Sequence, residues 1–171
     1  MRRKMFHFQF EGPSGGVSGR GSEGGLEDND DYQYLVIEGC SSLSETDCRF
    51  AIGGFGQDDW KFDIEYDMSS FLEGLPELLA ALESGRVVAI DLYPQGVERV
   101  LTFTPQGDVV SVECTSRTSW TPDPRMECHD LAELLRMARK LATDFSKAVS
   151  AAAPEIGRLE PFTSWKAGQF H

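Results

Sequence analysis

Five carboxylates crowd one short stretch, Asp58, Asp59, Asp63, Glu65 and Asp67, within the run Gln57-Asp58-Asp59-Trp60-Lys61-Phe62-Asp63-Ile64-Glu65-Tyr66-Asp67. Carboxylates at this density can hold a hard cation, do acid-base work, or form a negative docking face. Spacing chooses among these. Read as a strand, residues 60–67 alternate apolar and charged, burying Phe62, Ile64 and Tyr66 and turning Asp63, Glu65 and Asp67 to water. Same-face residues on a strand stand about 6–7 Å apart, given a rise of ~3.3 Å per residue, too far to share one ion unaided. The Gly-centred alternation of a calcium loop is also missing. The expectation is therefore no metal and an acid face that is either simply solvated or binds a partner, the second reading making these five the candidate site.

Other chemistries find less support. His7, His129 and His171 lie near the termini or a helix start, and no Gly-x-Ser-x-Gly elbow accompanies them. Cys128 beside His129 would be half of a metal site, but no second pair has ligand spacing. Cys40, Cys48, Cys114 and Cys128 read as structural thiols. The glycine-rich run at 12–25 lacks the Gly-Lys-Ser/Thr ending of a phosphate loop. No enzyme activity and no cofactor are expected. Trp120, in Arg117-Thr118-Ser119-Trp120-Thr121-Pro122, joins the partner-binding candidates as a large ring in a proline-framed loop, and Trp165 is a similar case. The competing reading of each tryptophan is a lid over one end of the core.

Charge points the same way as the acid run. The 171 residues carry a formal net charge of −12. Residues 32–93 hold 12 acids against 3 bases, a net of −9, whereas residues 94–171 hold 10 against 9, a net of −1. Nucleic-acid binding rests on Lys and Arg neutralising phosphates, so the favoured macromolecular partner is a basic protein and not a nucleic acid. No stretch approaches about 18 apolar residues, so no membrane span is expected. The opening residues lack a secretory pattern, which predicts a cytoplasmic protein.

The elements that must position these residues follow from periodicity. Residues 1–31 read as a flexible Gly/Ser-rich N-terminal segment with a short strand at 5–10, and 32–171 as a single α+β domain. In its first half, strands are predicted at 32–38, 48–53 and 60–67. A helix follows from a Ser70/Glu73 capping box, with a kink or late start at Pro76. In the second half, strands are predicted at 86–93, 97–104 and 109–118. The matching turns Tyr93-Pro94-Gln95-Gly96 and Thr104-Pro105-Gln106-Gly107 join them, and a long helix runs from Leu131 to about Ala152, ended by Pro154. The fold class is α+β: an antiparallel sheet built from two strand-meander-plus-helix repeats, with the helices packed on the sheet.

This plan, with its helix starts Ser70-Phe71-Leu72-Glu73 and Asp130-Leu131-Ala132-Glu133-Leu134, resembles the small acidic immunity proteins of bacterial contact-dependent inhibition and polymorphic-toxin systems. Some of those have a Whirly-like fold. The resemblance is architectural and spans about residues 32–152. It implies a cytoplasmic protein that binds a cognate toxin and blocks its active site or its access to substrate. A Whirly-like single-stranded nucleic-acid binder and a small-ligand domain stay open as alternatives.

Overall fold

The computed structural model describes residues 4–14 and 25–170. Its centre is α4 (Leu131–Ala152), whose stripe of Leu134, Ala138, Leu141, Ala142, Phe145 and Val149 is buried along the whole helix. Around it pack α1 (Tyr32–Leu43), α3 (Leu75–Ser84), and the short α5 (Pro154–Gly157) and α6 (Phe162–Lys166). Two antiparallel sheets complete the fold. One pairs β1 (His7–Glu11) with β2 (Arg49–Gly53); the other runs in the order β3 (Val88–Leu92), β4 (Arg99–Gln106), β5 (Val109–Ser116), β6 (Met126–Asp130).

The α+β class and the antiparallel sheets are as expected. The second half follows the predicted meander and helix, with Gly96 and Gly107 at positive φ in the two turns. On the larger sheet Ile90, Leu92, Leu101, Phe103, Val110, Val112 and Cys114 face the core, and Val100, Thr102, Ser111 and Glu113 lie on the more accessible face. Strand β6 was not anticipated. Its sequence, Met-Glu-Cys-His-Asp, alternates weakly, and pairing with β5 is what makes it a strand.

The first half departs from the predicted meander. Residues 32–38 belong to helix α1, not to a strand. Asp31 caps it by accepting from Tyr34 N, and Leu35, Val36, Gly39, Cys40 and Leu43 are buried at helical spacing. Gly39 permits the approach of α4, since a Cβ there would stand 3.3 Å from Val149 Cγ2. The predicted helix at Ser70 is the two helices α2 (Ser69–Glu73) and α3, separated at Gly74, with Pro76 in the first turn of α3 where its missing N–H costs little. Ser70 caps nothing: its hydroxyl donates to Asp67 O from within a continuing helix.

Nor does the ordered chain begin at residue 32. β1 belongs to the core, with Phe6, Phe8 and Phe10 buried; Phe8 meets Phe71 at 4.9 Å and Phe10 meets Phe145 at 6.2 Å between ring centroids. Most of the glycine-rich stretch, residues 15–24, lies outside the described residues. Its flanks are tethered, Ser14 to the Asp47 carboxylate and Glu27 N to Tyr34 Oη.

The two sheets are joined by a buried carboxylate. Glu127 on β6, only 7% exposed, accepts from Phe6 N and Phe55 N, each at 2.7 Å, and lies 3.3 Å from His129 Nε2. Phe55 sits at φ 56 in a turn where a Cβ on Gly54 would lie 2.4 Å from Phe6 Cα, so this close crossing needs glycine at 54. Burial pushes the Glu127 pKa up, but the hydrogen bonds from His129, Phe6 and Phe55 outweigh it and hold the group below its ordinary value. A depressed carboxylate contributes stability above its unfolded pKa and loses it as pH falls through the folded one. Glu127→Gln should therefore cost about 1.5–3 kcal/mol near pH 7. In urea titrations repeated across pH, the gap between wild type and variant should narrow on acidification below the ordinary value of 4.5; a gap independent of pH would show that the charge is not what matters.

Candidate functional site

The predicted strand at 60–67 is not one. Its alternation holds as far as Trp60 and Phe62, which are buried, and then the chain turns into a π-helical segment, Ile64–Met68, that runs directly into α2. Asp63 is the cap. Its Oδ1 accepts from Tyr66 N at 2.8 Å and Asp67 N at 2.9 Å, while Asp67 Oδ2 accepts from Asp63 N at 3.1 Å. This is a reciprocal capping box in which the wider turn lets the fourth residue do the work usually done by the third. The helix periodicity puts Tyr66 on the surface, 63% exposed, where a strand would have buried it.

The site this creates is a groove of 660 Å³ between three segments. Helix α1 contributes Ile37, Glu38 and Ser41; the π segment and the start of α2 contribute Asp63, Glu65, Tyr66, Asp67 and Ser69; the β3–β4 turn contributes Tyr93, Pro94 and Gln95. Ile37 and Tyr93 are 43% and 49% exposed. Tyr93 is held in place by donating to Glu73 Oε1 at 2.6 Å, and its pKa is pushed up to about 12 by partial burial and by that carboxylate. Among the described residues no lysine or arginine lines the groove. Glu38 and Glu65 make no hydrogen bond or ion pair to any described residue, although ion pairs form at several other places on the surface.

Asp67 shows the electrostatic consequence. Partial burial, aided by the neighbouring Asp63 charge, raises its pKa, with the Asp63 backbone N–H and Arg99 opposing. Ser69 shows another. It is 3% exposed and its Oγ has no hydrogen-bond partner; the Cys40 thiol lies beside it without hydrogen-bonding geometry.

The other predicted site residues lie elsewhere. Asp58 accepts from Lys4 N, and Asp59 accepts from Lys61 N and stands 3.9 Å from Arg49, so both serve the loop that carries them. Trp120 is a half-buried cover on Arg99, whose guanidinium carbon lies 4.0 Å from the Trp120 ring and 4.5 Å from the Trp60 ring. Arg99 is 6% exposed and its Nε and Nη1 are unpartnered; burial lowers its pKa, with Asp67 opposing. Trp165 is buried against Phe162 and Tyr32. Cys40, Cys48 and Cys114 are buried thiols, Cys128 is exposed, and all four are free. His129 is the hydrogen-bonding partner of Glu127.

Sequence reasoning thus named three of the four groove acids and missed Glu38, Ile37, Tyr66 and Tyr93 as accessible lining. The signal for Tyr66 was present in Asp63-x-x-Tyr66-Asp67, a helix-start spacing that competes with the strand alternation. Among the described residues no three His, Cys, Asp or Glu side chains converge as metal ligands, and no helix is long and apolar enough to cross a membrane.

Because Asp63 is a cap, Asp63→Ala should cost about 1–2 kcal/mol in chemical denaturation, whereas Glu65→Ala should change stability by less than ~0.5 kcal/mol. Equal costs would show that Asp63 does not organise the turn. No family model, curated protein or solved structure matches this chain.

Proposed function

We propose that this protein is an inhibitory binding protein, an immunity protein that neutralises a cognate, basic toxin domain through the acidic groove. The observation that supports this reading most is the groove itself. Accessible Tyr66, Tyr93 and Ile37 stand beside Glu38, Asp63, Glu65 and Asp67, with no lysine or arginine among the described lining residues. Exposed aromatic and aliphatic surface rimmed by charge of one sign suits a protein partner of the opposite sign. The net −9 of residues 32–93 extends the field beyond the groove and would steer a basic partner into encounter.

Inhibition on this reading works by occupancy. A toxin that acts on nucleic acid presents cations to phosphate, and a carboxylate-lined surface seated on those cations excludes the substrate without any chemistry of its own. The same acids disfavour a nucleic-acid partner, whose phosphates they would repel. The residues assigned to the contact are Glu38, Asp63, Glu65, Asp67, Ile37, Tyr66 and Tyr93. Asp58, Asp59 and Trp120 lie outside the groove and are not assigned to the contact.

Stopped-flow binding to a basic toxin domain, sought in the product of the adjacent upstream gene, is the test. Glu38→Lys and Glu65→Lys together should lower the association rate by about tenfold or more at low salt, with the difference shrinking as salt rises. Glu113→Lys, on the more accessible face of the larger sheet, should leave the rate nearly unchanged. An association rate indifferent to the groove pair removes the groove from the contact, and failure of the wild type to bind removes the immunity role.

A further inference from the structure

We propose that the groove is an arginine receptor: its occupant is an arginine side chain on a short exposed segment of the partner. The inference rests on the proposed protein-binding role and names the chemistry that the site selects. Its acceptors are laid out for a donor with several N–H groups. Asp63 Oδ2 and Asp67 Oδ1 accept nothing from the described residues, because the capping bonds use the other oxygen of each carboxylate. Glu38 and Glu65 accept nothing from the described residues. Ser69 lines the same groove, and its buried Oγ has no hydrogen-bond partner among the described residues.

The aromatic lining discriminates between the two basic side chains. Tyr66 and Tyr93 offer exposed rings beside the carboxylates. A guanidinium is planar and weakly hydrated, so it can stack on a ring while its fork of N–H groups reaches carboxylates at the edge. An ammonium is a compact, strongly hydrated point charge that gains less from such a surface. The protein already uses this preference internally, where Arg99 lies against the rings of Trp60 and Trp120. A volume of 660 Å³ exceeds what one side chain fills and leaves room for the backbone on either side of it, within the ordinary range for ligand sites.

The probe is the tripeptide acetyl-Gly-Arg-Gly-amide, titrated into the full chain and followed by amide chemical shifts, with acetyl-Gly-Lys-Gly-amide as the comparison. Saturable shifts are expected at Ile37, Glu38, Tyr66, Ser69 and Gln95, with the arginine peptide binding at least about threefold more tightly than the lysine peptide. Glu65→Gln and Tyr66→Ala, both at accessible positions and checked for folding by circular dichroism, should each weaken the arginine peptide by about threefold or more. Equal affinity for the two peptides, shifts that map away from the groove, or no saturable shift at millimolar peptide would each overturn the inference. Toxin binding that depends on the groove without any binding of the arginine peptide would overturn this assignment alone. An arginine peptide that saturates the groove while no toxin binds would overturn the immunity role alone.

Discussion

The fold depends on one buried carboxylate. Glu127 accepts two backbone N–H groups from segments far away in sequence, Phe6 at the start of the first strand and Phe55 in the turn after the second. Without it, each N–H would be buried unpaired at the junction of the two sheets, at a cost comparable to a lost hydrogen bond or more. Its ionised state matters because charge-assisted bonds are stronger than neutral ones and offset the penalty of taking a carboxylate out of water. Around this contact gather the rings of Phe6, Phe55, Phe103 and Trp60, so the polar junction lies inside an aromatic cluster that excludes water from it.

That junction also positions the groove. The chain leaving Phe55 passes through Trp60, whose Nε1–H donates to Gly54 O, and Phe62 before Asp63 caps the π segment. The acids are thus hung from the inter-sheet junction by a short run of anchored aromatics. On the other side, Tyr93 is tied to α2 through Glu73. A groove between a helix, a capped turn and a hairpin end can hold its shape when both walls are fastened in this way.

The groove has an energetic cost to the folded protein. Several acids share it without a lysine or arginine among its described lining residues, and Asp67 has its pKa raised by partial burial with a smaller contribution from the Asp63 charge. Some surface acids elsewhere are paired, as Glu133 is with Arg136 and Glu83 with Arg139.

Much of this was legible in the residues themselves. The length of α4 follows from its apolar stripe and from Pro154, the first hairpin turn from Pro94-x-Gly96, the α+β class from strands in runs, and the acid excess from simple counting; the second turn is made by Gly107 and Asp108, with Pro105 inside β4 opposite Val110. These features are local: a helix satisfies its own backbone hydrogen bonds, and a turn needs only its own φ and ψ. What the sequence could not decide was whether 32–38 and 60–67 are strands, because alternation records which side chains are covered and says nothing of the strand that must supply the ladder. Beyond the Trp60 N–H bond to Ile52 O, no partner strand among the described residues pairs with 60–67, so Asp63 closes its own turn and exposes Tyr66. β6, conversely, has a weak pattern and becomes a strand because β5 is beside it. The groove itself joins α1, the π segment and the β3–β4 turn, some 58 positions from Ile37 to Gln95, and only tertiary packing brings those side chains to one place.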